Sequence, residues 1–262
     1  MPVCKLCKQD RELRDSHFLP AAVYAQLRCP ADQNPNPVLI TKNVSMATSK
    51  QIKDYVLCAE CEERFNKSGE TWVLANMFRP EGFLMQKAVT AATPIASNEN
   101  FACYSGAAIP AIDMVALVYF ALSVFWRASA HTWKNVSGDM EGIELGPFEE
   151  TIRRFLLGDQ FPADAVVLVS VWPTKDVLPA AYTPRRGKAP GCHCFNFLIP
   201  GLEFKLMIGK GIPDDLRAMC SYASPGKVLY SAMSIVSDTM EAFTKLMSTT
   251  RESKGLKALR KG

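Results

Sequence analysis

The sequence has no apolar run long enough to cross a bilayer. Its longest, residues 114–126 (MVALVYFALSVFW), is closed by Asp113 and Arg127 and falls short of the about 20 residues a membrane helix needs. It reads as a buried helix, and no membrane is expected among the partners. No apolar h-region opens the chain, so no secretory leader is expected. A Gly-rich phosphate loop, a G-x-S-x-G elbow, internal repeats and low-complexity segments are also absent. Excess charge is small: a net +4 permits a nucleic-acid partner without demanding one. With 48% hydrophobic and 21% charged residues, the composition is that of a folded globular protein and excludes disorder.

Cysteine, by contrast, is plentiful and oddly placed. There are nine, an odd number, and four form the tight pairs Cys4-Lys-Leu-Cys7 and Cys58-Ala-Glu-Cys61. That pattern argues against a secreted disulfide scaffold and for a reducing, cytoplasmic setting in which the thiols serve a metal. Each C-x-x-C knuckle presents two sulfurs at the bite of a tetrahedral zinc ion, while the intervening chain is free to fold. Cys4, Cys7, Cys58 and Cys61 are therefore expected to share one structural zinc.

At 262 residues the chain exceeds the usual single domain, and it divides into a metal-held module over 1–70 and a larger body over 71–262. In the module, Pro20 disfavours helix just before it, so His17 is expected on a short strand or at its end. Residues 21–27 suit a turn or two of helix, 29–37 (CPADQNPNP) a loop, and 38–46 a strand. The run from Cys61 is rich in helix formers and is expected to stop near Gly69. On such a helix Glu62, Asn66 and Glu70 are spaced four apart and share a side, so three oxygen donors converge. The alternative is that Glu62 and Glu63 are solvated acids in a first turn, where the helix dipole favours them.

The body reads as α+β. Residues 72–86 are amphipathic, 90–110 suit a linker or irregular strands, 114–130 form the core helix, and 147–157 form a helix between Pro147 and Gly158. Residues 165–172 read as a buried strand, 194–199 and 202–208 as a hairpin about Pro200-Gly201, 228–232 as a strand and 238–249 as a helix. The basic tail over 245–262 reads as a solvated, frayed terminus, with phosphate contact as the alternative. Cys192-His193-Cys194 alternates faces on a strand rather than gathering on a metal. Arg185-Arg186-Gly187-Lys188 is a basic loop, open to either phosphate contact or plain solvation.

The segments Cys4-x-x-Cys7, Ser16-His17-Phe18-Leu19-Pro20 and Leu57-Cys58-Ala-Glu-Cys61-Glu62 together resemble the zinc-bearing, treble-clef-related HNH endonucleases, over about the first 70 residues. The resemblance implies a treble-clef/ββα-metal module in which the four cysteines hold structural zinc. His17 falls on the general base that takes a proton from the attacking water, and Glu62 and Asn66 fall on the ligands of a catalytic Mg²⁺ or Mn²⁺. Ser16 stands where that family carries a metal-binding histidine or aspartate. Asp15, two positions before His17 and on the same strand face, is the stand-in. The asparagine that orients the base in that family has no counterpart just before Cys58, and Glu70 is expected to help complete the site.

The expectation that follows is a metal-dependent endonuclease that hydrolyses phosphodiester bonds in DNA, by analogy in defence against foreign DNA, with the body supplying substrate grip, a homo-oligomeric contact or a protein-partner surface. The competing expectation is an HNH-like zinc module that has lost catalysis and binds nucleic acid or protein.

Overall fold

The structure, a computed structural model, describes residues 2–28, 36–41, 43–173, 179–223 and 226–259. Most of the 29–37 loop and the last basic residues, Arg260 and Lys261, thus lie outside the described residues. The N-terminal part contains strand β1 (Leu13–His17), helix α1 (Ala21–Gln26), strands β2 (Val38–Ile40), β3 (Val44–Ala47) and β4 (Lys53–Cys58), and helix α2 (Ala59–Phe65). A π turn (Asn66–Glu70) and helix α3 (Thr71–Asn76) follow without a break. Next come α4 (Leu84–Thr90), β5 (Ala96–Ser97), β6 (Phe101–Ser105), α5 (Met114–Ala130), the short strands β7 (Lys134–Asn135) and β8 (Gly138–Asp139), and α6 (Phe148–Leu157). The chain ends with β9 (Ala165–Val171), β10 (Tyr182–Arg186), β11 (His193–Ile199), β12 (Leu202–Ile208), α7 (Asp214–Ala218), β13 (Lys227–Ser231), α8 (Met233–Thr249), β14 (Arg251–Glu252) and α9 (Lys254–Leu259). The class is α+β.

The body is a seven-stranded sheet in the order β10-β11-β12-β9-β13-β6-β5, antiparallel except where β13 runs parallel to β9. Alternation along its strands divides the core. Val167, Val169, Phe195, Phe197, Phe204 and Leu206 face α5, where Phe120 and Phe125 pack on Phe197. Val166, Leu168, Cys194 and Met207 form a second layer under the segment containing α7, and Trp172 and Leu198 form a third with Val236 of α8. Helix α5 is buried continuously from Ala116 to Ala128, which is why its sequence is apolar all round, and Asp113 caps it by accepting from Ala116 N at 2.8 Å. No helix among the described residues is long and apolar enough to cross a membrane.

One core cluster runs from Cys4, Leu6 and Phe18 through Phe65 to Phe197, so the two parts of the chain share a hydrophobic interior. The contact that joins them corrects the expected helix stop at Gly69. The helical segment passes through Gly69, and a Cβ there would lie 2.9 Å from Phe120 N and 3.0 Å from Ala116 O of α5. This glycine permits close helix packing rather than a C-cap. The amphipathic residues 72–86 are shared between two helices. They break between α3 and α4 at a turn around Pro80, where Arg79 and Gly82 bridge. Residues 96–105, expected as linker or irregular strands, supply the edge of the large sheet through β5 and β6. The tail is not frayed at its start: β14 pairs in parallel with β3, and Leu256 is buried.

Candidate metal centre

Local structure explains how four distant thiols meet. The first knuckle is a turn in which Lys8 N donates to Cys4 O at 2.9 Å, with Lys8 in the left-handed region at φ 59°. Lys5 N donates to Val56 O at 3.1 Å and stitches this turn to β4. The second knuckle straddles a strand-to-helix junction, with Cys58 the residue preceding α2 and Cys61 in its first turn. The sulfurs of Cys4, Cys7, Cys58 and Cys61 all lie within 4.8 Å of one another. Those of Cys7 and Cys58 are 3.9 Å apart, and Cys58 N donates to Cys4 Sγ at 3.3 Å.

The electrostatics of the cluster ask for a cation. A hydrogen bond from Cys61 pulls the Cys4 thiol down to about 4, while Cys61 is pushed up by that same neighbour and by burial. Burial also pushes Cys7 up. Sulfurs this close admit one negative charge readily and resist the next, unless a cation sits among them. Four converging thiols on two C-x-x-C knuckles suit tetrahedral zinc, with each sulfur ionised on binding.

The remaining predicted residues form no second cluster. Among the described residues, the cysteine tetrad is the one group of three or more His, Cys, Asp or Glu side chains with converging ligand atoms. His17 ends β1, as expected from Pro20, and pairs across the ladder with Lys53 of β4. Its Nε2 lies 2.6 Å from Gln51 Oε1. Asp15 shares the strand face of His17, but its carboxylate is ion-paired with Lys53. Ser16 points the other way and is buried, where its hydroxyl accepts from Leu57 N at 3.1 Å across a bulge in the ladder.

On the helical side, Glu62 follows Cys61 directly. Among the described residues, its Oε1 is the one carboxylate oxygen that is both buried and without a hydrogen-bond partner. Asn66 is exposed at the start of the π turn. Glu70 goes inward and forms a buried ion pair with Arg127 of α5. Arg127 also donates to Phe18 O at 3.1 Å and lies 4.6 Å from the Phe65 ring centroid, so it clamps β1, the π turn and α5 together. The Glu70 carboxylate is thereby engaged by a cation of the core, and convergence of Glu62, Asn66 and Glu70 on one ion is not what the π turn presents.

Two partners in this region are not apparent from local sequence. Gln51 becomes visible only from the β1–β4 register: it lies two residues before Lys53, whose cross-strand partner is His17. His131, just after α5, binds Asp54 Oδ2 at 2.9 Å and stands edge-on to Trp133. That hydrogen bond holds the Asp54 carboxyl below its ordinary range. Asp54 pairs with Ser16 across the ladder, on the face opposite His17, so His131 braces the back of the strands.

The fold and site together define a class: an α+β protein with a four-cysteine centre suited to zinc where a two-stranded ladder meets a helix. Comparison with protein-family models, with curated proteins and with solved structures returns no match, so this description rests on the residues themselves.

Proposed function

We propose that this chain is a metal-dependent endonuclease that hydrolyses phosphodiester bonds in DNA, built on the HNH plan its N-terminal motifs resemble. The observation that carries the reading is the Glu62 carboxylate, placed by the cysteine pair that opens α2, with one buried oxygen that has no partner. A buried carboxylate oxygen without a donor calls for a proton or a cation. Glu62, with Asn66 one turn on, is an oxygen donor set suited to Mg²⁺ or Mn²⁺. Such an ion, when bound, neutralises charge developing on the scissile phosphate and its leaving oxygen.

His17 is the base. With the Gln51 amide oxygen accepting from Nε2–H, the imidazole lone pair is on Nδ1, free to take a proton from the attacking water. Gln51 thus fills the orienting role for which no asparagine precedes Cys58. Arg127 fixes the backbone just beyond His17 through Phe18 O. Asp15 and Glu70 are left out of the ligand set because Lys53 and Arg127 hold them.

Those two engaged carboxylates favour a second reading, in which the HNH-like centre has lost its catalytic ion and the protein binds nucleic acid or protein through its zinc module. Relaxation of supercoiled plasmid with Mg²⁺ or Mn²⁺ separates the readings. Nicking by the wild type that falls at least 100-fold in His17→Ala, as expected for loss of a general base, supports the enzyme. Nicking unchanged by the substitution removes His17 as base, and no nicking with either ion while DNA is still bound supports the second reading.

A further inference from the structure

Charge in this chain is concentrated at its C-terminus. Over residues 245–262, Lys245, Arg251, Lys254, Lys257, Arg260 and Lys261 face the single acid Glu252, a net of +5. The whole chain carries +4, so residues 1–244 sum to −1. Essentially all of the positive excess therefore sits in the last 18 residues.

The fold carries this segment back to the N-terminal module. Val236 of α8 is buried beside Trp172 and Leu198 of the sheet, with Met240 and Phe243 packed on the same cluster. Beyond α8, Thr250 Oγ1 meets Ser45 Oγ at 2.9 Å in a buried contact. Arg251 and Glu252 pair with Val44 and Ser45 of β3, Ser253 N donates to Ser45 O at 2.9 Å, and Leu256 of α9 is buried. Arg251, Lys254 and Lys257 remain exposed. The strand they are fastened to leads to exposed Lys50 and then to Gln51, the residue that holds His17.

We propose that β14 and α9, with Lys50, form a phosphate-contact surface for duplex DNA flanking the His17 site; this rests on the nuclease reading of that site. Reach supports it. Val44 and Gln51 are seven residues apart, at most about 25 Å of chain, and neighbouring strands add about 5 Å. Arg251 therefore lies within about 30 Å of Gln51, less than the about 34 Å of one turn of B-DNA. One turn of duplex is thus long enough to cover that distance. Chemistry favours a duplex over a single strand, because residues 244–262 contain no aromatic side chain on which unpaired bases could stack. Cations pinned to a strand and a helix read a fixed phosphate spacing and carry no base preference.

The test is binding of a labelled 16-base-pair duplex to the full chain, without divalent ions, across a series of NaCl concentrations. The triple variant Arg251→Gln/Lys254→Gln/Lys257→Gln is expected to flatten the slope of log K against log salt by about 2 to 3, at about 0.9 per lost phosphate contact. The charge-conserving Lys254→Arg/Lys257→Arg is expected to keep the wild-type slope. An unchanged slope in the triple variant overturns the proposal. So does wild-type protein that binds single-stranded RNA of the same length more tightly than the duplex, or that binds no duplex. Should the slope fall while His17→Ala leaves nicking intact, the surface stands and the base assignment fails. Should the slope hold while His17→Ala abolishes nicking, the base stands and the surface fails.

Discussion

Replacing Arg127 by methionine probes how the N-terminal module is held to the body, and whether Glu70 belongs to that structure or to a metal. The Arg127 and Glu70 side chains are 2% and 8% exposed, so both charges are withdrawn from water and each depends on the other. Removing one partner of such a pair typically costs about 3 to 5 kcal/mol, chiefly from the charge left alone. The Phe18 carbonyl loses its donor as well, adding about 1 kcal/mol. We expect Arg127→Met to cost about 4 to 5 kcal/mol, a large part of the about 5 to 15 kcal/mol that stabilises a typical domain. In the double variant Arg127→Met/Glu70→Gln no charge is stranded, and the cost is expected to fall to about 2 kcal/mol. Urea denaturation of the four proteins of the cycle, in zinc-containing buffer, gives these values. A single-variant cost below about 1 kcal/mol, or a double-variant cost equal to the sum of the singles, refutes the reasoning. Loss of metal-dependent nicking by Glu70→Gln, at conditions where it is fully folded, would instead make Glu70 a ligand.

Three other outcomes follow from the same geometry. Gly69→Ala gains about 1 kcal/mol of helix propensity but drives a methyl into the α5 backbone at 2.9 Å, so a net loss of about 1 to 2 kcal/mol is expected in thermal melts, and a stabilised variant would contradict the packing. Gln51→Leu should move the His17 imidazole from a single Nε2–H form to a mixture, read from its ¹⁵N shifts; an unaltered spectrum would show that Gln51 does not hold it. Because Asp54 titrates below its ordinary value on account of His131, its contribution is complete above about pH 4 and is lost as pH falls through the lowered pKa. Asp54→Asn should therefore flatten the decline of the urea midpoint below about pH 4, and equal declines in the two proteins would rule out this link.

Elements set by local pattern were legible from the sequence. The apolar stretch ending at Ala130 became α5 with the expected ends, Pro200-Gly201 closed the β11–β12 hairpin, and His17 fell at the end of a strand. The cysteine pairs converged because C-x-x-C knuckles are short-range devices and only their union is long-range. What stayed hidden depends on partners far along the chain. Gly69 looks like a helix stop until Phe120 is placed against it, and Glu70 looks like a surface donor until Arg127 arrives 57 residues later. The tail resembles a frayed terminus until Thr250 meets Ser45 across 205 residues. Gln51 acquires a role only through strand register. None of these pairings has a local periodicity, so no window of sequence carries it.

The nuclease reading rests on the four-cysteine centre, which joins the helix bearing Glu62 to the β1–β4 pair bearing His17. X-ray absorption at the zinc edge, with metal analysis of the purified full chain, measures that directly. We predict one zinc per chain in a shell of four sulfurs at about 2.3 Å, and in Cys58→Ser loss of the metal together with unfolding of the module. Protein that is fully folded with no zinc, or zinc bound by nitrogen and oxygen without sulfur, would contradict the account.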